Sequence, residues 1–93
     1  MNQFFVYIAS NKTNNIFYTG VTNNLEKRMH EHKNKLVEGL TPRLNVQKLL
    51  YTAAFSTPLH AILAEKRMKG LTKEKKLDLI KSTNPDLRDL LDK

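Results

Sequence analysis

Two apolar segments separated by six polar residues place the strongest constraint on how this chain folds. The first, 4–9, reads Phe-Phe-Val-Tyr-Ile-Ala, and the second, 16–21, reads Ile-Phe-Tyr-Thr-Gly-Val. Both are rich in aromatic and β-branched residues, which favour strands. The connection, 11–15, is Asn-Lys-Thr-Asn-Asn, which is typical of a turn. Because this connection is too short for a crossover, we expect the two strands to pair antiparallel as a hairpin.

The middle of the chain predicts one helix and one further strand. A helix should begin near Asn23, which has Glu26 three residues later as in an N-terminal capping pair, and it should end at Gly39. Its buried stripe would consist of four residues at helical spacing: Leu25, Met29, His32 and Leu36. Residues 41–45 indicate a loop, and 46–55 a third strand, although Ala53 and Ala54 are weak strand formers.

The remainder predicts helices with recognisable ends. Thr57 and Pro58 form a cap followed by proline at the first helical position, so a helix should run to about Lys69 and end at Gly70. Thr72 is a cap for a further helix through Ile80. Asn-Pro at 84–85 repeats the start signal for a short terminal helix over 84–93. The predicted fold class is α+β, a small three-stranded antiparallel or mixed sheet in β-β-α-β-α order flanked by helices. We expect one domain over 1–93, with its core at about 4–81.

Charge and composition narrow the function. Lys and Arg number 16 against 9 Asp and Glu, a formal net charge of +7, which favours polyanionic partners. The sequence contains no Cys, which excludes disulfides, thiol nucleophiles and Cys-based metal sites. It contains no phosphate-binding glycine loop, no dinucleotide-binding glycine pattern and no His-Glu-x-x-His zinc motif. The N-terminus does not have the pattern of a signal peptide, and no segment is apolar enough to span a membrane. We therefore expect a cytoplasmic protein that binds nucleic acid, without a membrane or a small-molecule cofactor.

Polar residues on the hairpin and the first helix are the first candidates for a site. Tyr7 and Tyr18 lie in facing strands, either as core aromatics with satisfied hydroxyls or as a functional pair. Gly20 within a strand often marks close approach of another group. Arg28 and His32 are four residues apart and share a helix face. A His on an apolar stripe is either a buried, hydrogen-bonded side chain or a catalytic group.

The second long helix supplies a carboxylate and a basic run. Glu65 lies at helical spacing from inward-facing positions, so it needs a partner. That partner is either Lys69, four residues on, or a metal ion. The run 66–76 carries six positive charges against one negative, which describes either a solvated face or a phosphate-binding surface. The lysines predicted to contact nucleic acid are Lys66, Lys69, Lys73, Lys75 and Lys76.

Taken in order, these pieces resemble the GIY-YIG endonuclease family, and most closely its short, stand-alone bacterial members. The first motif stands here as Phe5-Val6-Tyr7 and the second as Tyr18-Thr19-Gly20. Further likenesses are the Lys-Leu-Leu-Tyr third strand, the Lys-Gly-Leu-Thr-Lys-Glu-Lys-Lys-Leu run and the Asn-Pro-x-Leu ending, so that the resemblance covers nearly the whole chain.

The resemblance implies DNA phosphodiester hydrolysis with one divalent cation, Mg²⁺ in the first instance. Arg28 matches the family's catalytic Arg and Glu65 its metal-binding Glu. A Tyr would orient or deprotonate the attacking water, with Tyr7 as the base and Tyr18 as a positioning partner. His32 matches a position where some members use His, and it would share the proton transfer. A role in DNA repair or recombination would fit such an enzyme.

Three departures from the family's pattern affect the surroundings of the site. Phe5 replaces the Gly of the first motif, as is common among stand-alone members, and Leu44 stands where an aromatic is frequent. The third strand ends in Thr-Ala-Ala at 52–54 where acidic residues are usual. The alternatives to a nuclease are a catalytically inert nucleic-acid-binding module that retains the fold, and a protein-interaction domain.

Overall fold

Three strands and three helices make up the computed structural model, which describes residues 3–34 and 45–91. The elements in chain order are β1 (Phe4–Ser10), β2 (Phe17–Thr22), α1 (Leu25–Lys33), β3 (Lys48–Phe55), α2 (Pro58–Lys69) and α3 (Lys73–Thr83). The strand order is β2-β1-β3, and both pairings are antiparallel. The predicted α+β class and the β-β-α-β-α order are confirmed.

The hairpin has a register that sets out the two faces of the sheet. Tyr7 pairs with Gly20 and Ala9 with Tyr18, so these four residues share one face. The neighbouring pair, Ile8 and Thr19, lies on the other face. The turn is held by Asn11, whose side-chain oxygen accepts hydrogen bonds from two later backbone N–H groups. The predicted hairpin is therefore present, each strand differing from its expected bounds by one residue at one or both ends.

Both ends of α1 differ from the bounds that the sequence predicted. The N-cap of α1 is Asn24 rather than Asn23, because the Asn24 side chain accepts the hydrogen bond from the Lys27 N–H. The helix ends at Lys33, earlier than predicted. The expected end at Gly39, the stripe residue Leu36 and most of the 41–45 loop lie outside the described residues.

The second and third helices begin at the threonines that the sequence indicated. Thr57 caps α2 and Gly70 ends it, as predicted. Thr72 caps α3, which continues beyond the expected end at Ile80 as far as Thr83. The cap residues satisfy N–H groups that the first helical turn leaves without a partner.

Apolar side chains fill the space on both faces of the sheet. On one face, Tyr7 and Ala9 pack with Met29 of α1 and with Leu49 of β3. On the other, buried residues of β1 and β3 pack with α3 and with Met68 of α2. This second cluster contains Ile8, Leu50 and Ile80. Because α1 closes the face that carries both tyrosines, its polar residues are brought next to them.

The short terminal helix predicted from Asn84-Pro85 is not present in the described part of that segment, 84–91, which forms turns and irregular structure. Asn84 is buried, and its amide donates to the Leu50 and Arg88 carbonyls at 3.1 and 2.8 Å. The Leu90 N–H donates to the Leu49 carbonyl at 2.8 Å. Leu87 adopts a positive φ of 54°, which a right-handed helix does not accommodate. Hydrogen bonding to β3 has replaced helix formation.

None of the helices among the described residues combines the length and the hydropathy needed to cross a lipid bilayer.

Candidate active site

The site begins with the Tyr7 side chain, which lies across Gly20 of the edge strand β2. A Cβ added to Gly20 would stand 2.6 Å from the Tyr7 hydroxyl oxygen and 2.8 Å from the ring carbon that bears it. No side chain fits in that space, so the motif Tyr-Thr-Gly requires its glycine here. The close approach expected at Gly20 is that of Tyr7 itself.

Tyr7, Tyr18 and His32 form a compact group of rings. The Tyr7 hydroxyl is hydrogen-bonded to His32 Nε2 at 2.8 Å. The ring centroids of Tyr7 and Tyr18 are 6.1 Å apart, and those of Tyr18 and His32 are 5.0 Å apart. Tyr7 and His32 are buried, whereas Tyr18 is half-buried. Tyr18 is therefore the tyrosine of this group that reaches solvent.

Replacing Gly20 by Ala should disrupt this group. The added methyl group would force the Tyr7 ring away, which would lengthen its hydrogen bond to His32 and lower the free energy of unfolding by about 1–3 kcal/mol. Gly70→Ala is the matched control, because its Cβ would meet its nearest neighbour at an ordinary 3.5 Å. Thermal melts of both variants provide the measurement, and equal melting temperatures would contradict the packing described.

Burial sets the protonation states of the hydrogen-bonded pair. It raises the pKa of Tyr7 to about 12 against the opposing effect of the Arg28 guanidinium. It also lowers the pKa of His32 to about 4, and the Arg28 cation lowers this pKa further. At neutral pH the phenol keeps its proton and the imidazole is uncharged. The other ring nitrogen of His32, Nδ1, is buried and has no hydrogen-bond partner among the described residues.

The lowered pKa of His32 predicts a loss of stability in mild acid. The unfolded chain binds a proton at this residue below pH about 6.5, whereas the folded chain does so only below about 4. The unfolded state therefore holds more protons between these values, and the free energy of unfolding falls as the pH drops through this window, by about 3 kcal/mol in total. His32→Gln should remove this part of the pH dependence in melts from pH 7 to 5. The exposed His30→Gln variant should keep it, and identical slopes in both variants would contradict the assignment.

Arg28 lies beside these rings, and only some of its N–H donors bond to described residues. Its Nε donates to Glu31 at 3.2 Å and one terminal nitrogen donates to the Val21 carbonyl at 3.5 Å. Burial lowers the pKa of Arg28, but the nearby Tyr7 hydroxyl raises it above its ordinary value, so the group stays charged. The side chain is 31% exposed. Since a guanidinium carries five N–H donors, those not used by Glu31, the Val21 carbonyl and the neighbouring Tyr7 hydroxyl remain for an anion.

The negative charge of the Glu65 carboxylate acts on the Tyr7 phenol. The carboxylate is close enough to Tyr7 to contribute to the raised pKa of that phenol, after burial and Tyr18. The side chain is 20% exposed and pairs with Lys69 at 3.7 Å. The ion-pair partner considered from the sequence is therefore present.

The donor set around Glu65 fits one kind of metal ion. The described residues contain no group of three or more His, Cys, Asp or Glu side chains placed to hold a metal. This disfavours a zinc-type site, which needs three or four protein ligands. Mg²⁺ usually keeps several water ligands and is held by one or two carboxylates together with substrate phosphates. One half-buried carboxylate whose charge reaches Tyr7 is compatible with that mode of binding.

The lysines predicted to contact nucleic acid occupy the end of α2 and the start of α3. Lys66, Lys69, Lys73 and Lys75 are exposed, and Lys76 is half-buried. Lys73 lies over the Phe17 ring, with Nζ 5.9 Å from its centroid. This contact places one end of the basic surface next to β2, the strand that carries Tyr18.

The structure also brings together cations that the sequence reasoning did not single out. A cavity of about 930 Å³ near the start of β3 is lined in part by Lys12, Lys33, Lys48 and Arg88. Lys33 pairs with Asp89 at 3.7 Å, which neutralises part of this charge. These residues are far apart in the sequence. The net charge was the only sequence feature that indicated a further cationic surface.

The model of the GIY-YIG catalytic domain matches residues 3–78, a range that includes every candidate catalytic residue described above.

Proteins of similar length have sequences similar to that of this chain. The UPF0213 protein CPE1444 of Clostridium perfringens is 40% identical over 78 residues, covering 84% of this chain and 83% of the relative. The UPF0213 protein YazA of Bacillus subtilis is 35% identical over 75 residues, covering 81% and 75%. The solution NMR structure of the UPF0213 protein BH0048 from Bacillus halodurans superposes with a TM-score of 0.58 at 26% identity, covering 96% of this chain and 94% of the other.

Proposed function

The chain belongs to the GIY-YIG catalytic domain family, whose members are generally nucleases, and from this premise we propose that it hydrolyses DNA phosphodiester bonds with the help of one divalent cation. The observation that supports this best is the position of Arg28. Its guanidinium has unused donors, is exposed to solvent, and lies beside the Tyr7–His32 pair on the face that carries Tyr18.

In this proposal Arg28 binds the phosphate. Its free N–H groups donate to non-bridging oxygens, and its charge stabilises the additional negative charge of the transition state. The hydrogen bonds to Glu31 and the Val21 carbonyl hold the guanidinium in place before the substrate arrives. Such preorganisation lowers the cost of reorganisation during the reaction.

The burial of Tyr7 exchanges the roles of the two tyrosines that the family resemblance implied. A general base must come within hydrogen-bond reach of the water it deprotonates, and Tyr7 is fully buried with a raised pKa of about 12. Tyr18 reaches solvent, so we assign it to orient and deprotonate the water. Tyr7 keeps its proton, and its hydrogen bond holds His32 against the Tyr18 ring, which makes it a positioning residue.

Glu65 would hold the divalent cation. When bound there, the ion would act as a Lewis acid towards a phosphate oxygen and stabilise the leaving oxygen. For this the carboxylate must exchange its 3.7 Å pairing with Lys69 for the ion. The same pairing favours the second candidate function, an inert nucleic-acid-binding module in which Glu65 only stabilises α2.

Binding and cleavage can be tested on the same oligonucleotides. Wild-type protein is incubated with duplex, flap, junction and single-stranded DNA, with Mg²⁺ or with a chelator. We expect strand breaks in at least one DNA structure with Mg²⁺ only. Binding without breaks in any of them would favour the inert module, and the absence of binding would contradict both functions.

Replacing Lys73, Lys75 and Lys76 together by Ala should weaken DNA binding alike for all sequences. Each phosphate contact contributes about −0.9 to the slope of log affinity against log salt on duplex DNA, so the slope should flatten by up to about 3. Stability should change little, because cations near the start of α3 oppose the helix dipole. The comparison variant replaces Lys12, Lys48 and Arg88. If it flattens the slope more, the main phosphate contact lies at their cavity instead.

A further inference from the structure

A groove lies on the sheet face opposite Tyr7 and Tyr18, and the proposed reaction assigns no role to it. This groove, between β3, α2 and α3, has a volume of about 530 Å³, within the range of ligand sites. Its lining includes Tyr51 and Phe55 from β3 and His60, Leu63 and Arg67 from α2. Three of these five carry aromatic rings, and the groove is otherwise largely aliphatic.

One ring in this groove is fixed by a helix cap. The Thr57 hydroxyl oxygen accepts the hydrogen bond from the His60 backbone N–H. The same hydroxyl is hydrogen-bonded to His60 Nδ1 at 2.7 Å. This contact restricts the rotation of the imidazole ring, which is part of the groove lining. A ring held in this way stacks on a flat partner with little loss of conformational entropy.

The charge of the groove determines which kind of occupant it fits. Its lining includes Arg67 and His60 and contains no Asp or Glu. The neighbouring exposed side chains of α2 include Lys66 and Lys69. An occupant that is flat and apolar and also carries negative charge complements such a surface. A second copy of this chain, with its net charge of +7, does not.

We propose that this groove binds an unpaired nucleobase of the nucleic acid whose backbone lies at the Arg28 site. The inference rests on the proposed function for the position of the backbone. Aromatic side chains hold single-stranded bases by stacking, and arginine adds cation–π and phosphate contacts. A base inside a continuous duplex is stacked on its neighbours and does not reach the groove. The proposal therefore concerns unpaired or extrahelical nucleotides.

The course of α2 connects the groove to the site. Glu65 and Arg67 are two residues apart, about 200° around the helix, so they lie on opposite flanks. Leu59, Ile62 and Leu63 are exposed large apolar side chains on this helix. A strand crossing α2 from the Glu65 flank to the groove passes over them. Since a helix is about 10–12 Å wide with its side chains, the bound base and the phosphate at Arg28 would belong to different nucleotides of the same strand.

The test uses a single-stranded oligonucleotide that contains 2-aminopurine, with its blunt duplex as the comparison and a chelator to prevent cleavage. Stacking on an aromatic ring quenches this base, and the protein has no Trp to interfere. We expect quenching on binding of the single strand. Phe55→Ala should reduce quenching and weaken single-strand affinity about fivefold or more. Phe55→Tyr, which keeps the ring, should behave as wild type, and duplex affinity should be unchanged in both variants.

A second variant keeps the test valid if Phe55→Ala does not fold. Leu63 is 47% exposed, so Leu63→Ala should leave the melting temperature unchanged while weakening single-strand binding. Leu90→Ala, at a residue 43% exposed and outside the groove lining, is the control and should bind as wild type. Equal quenching and affinity in wild type, Phe55→Ala and Leu63→Ala would overturn the proposal. It would also be overturned if these variants changed the oligomeric mass of the protein instead, since the occupant would then be a second copy.

The groove proposal and the nuclease proposal fail in different measurements. Because the binding measurement needs no metal and no cleavage, quenching that depends on Phe55 in a protein that never cuts DNA would support the groove and contradict the proposed reaction.

Discussion

Glu65→Gln is expected to reduce metal-dependent cleavage by about 100-fold or more while the protein stays folded and continues to bind DNA. Gln keeps the size and hydrogen bonding of the side chain but removes the charge that would hold the cation. Lewis-acid stabilisation by such a cation is worth several kcal/mol in the transition state, and each 1.4 kcal/mol corresponds to a tenfold rate change. DNA affinity should be equal or higher, because a negative charge near phosphate has been removed.

The stability of this variant separates a metal ligand from a merely structural residue. If Glu65 only pairs with Lys69 at 3.7 Å, Gln costs about 0.3–0.5 kcal/mol of helix stability and leaves any cleavage intact. Glu74→Gln is the matched control, since it removes the same charge from the first turn of α3. We expect normal cleavage by the control. Mg²⁺ titrations and thermal melts of both variants provide the comparison, and unchanged cleavage by Glu65→Gln would reject the metal-ligand assignment.

Arg28→Ala is expected to lower the cleavage rate by about 100- to 1000-fold, the range found when one transition-state donor is removed. The effect should appear in the rate at saturating substrate rather than in affinity, because in the proposed function most of the phosphate contacts come from lysines of α2 and α3. Arg28→Lys keeps the charge but cannot reproduce the fork of donors that contacts Glu31 and the Val21 carbonyl. It should therefore remain well below wild type.

The pKa of His32 tests independently whether Arg28 lies beside that residue in solution, as it does in the structure. After burial, the Arg28 cation is the next largest cause of the low pKa of His32. Removing it should raise the pKa of His32 in an NMR titration of Arg28→Ala. A rate loss without any movement of this pKa would mean that the side chain acts from another position.

Local signals were sufficient to predict most of the fold. Thr57, Pro58 and Gly70 mark the two ends of α2 because capping involves only neighbouring residues. At Asn23 and Asn24 two equally good caps stand side by side, and only the completed helix shows that the Asn24 side chain accepts the Lys27 N–H. The same local reasoning did not predict the conformation of residues 84–91, because Asn84 bonds to Leu50 of a distant strand.

The candidate site was less accessible to sequence reasoning. The motif identified Tyr7, Tyr18 and Gly20, and strand alternation placed them on one face. The burial of Tyr7 is a product of tertiary packing, with α1 closing over it and Gly20 leaving room for its ring. Spacing carries no information on how deeply a side chain is covered, so the exchange of roles between the tyrosines required the structure. The groove at Phe55 depends in the same way on how three elements pack.

The central claim is that this chain cuts DNA with the help of a divalent cation bound near Arg28. The most direct test is a Mg²⁺ titration of the wild-type protein in which binding and cleavage of the same labelled DNA are followed together, across paired, branched and single-stranded forms. We predict that binding is present without Mg²⁺ and that cleavage appears and saturates as Mg²⁺ is added. Full binding with no cleavage of any form at any Mg²⁺ concentration would contradict the claim.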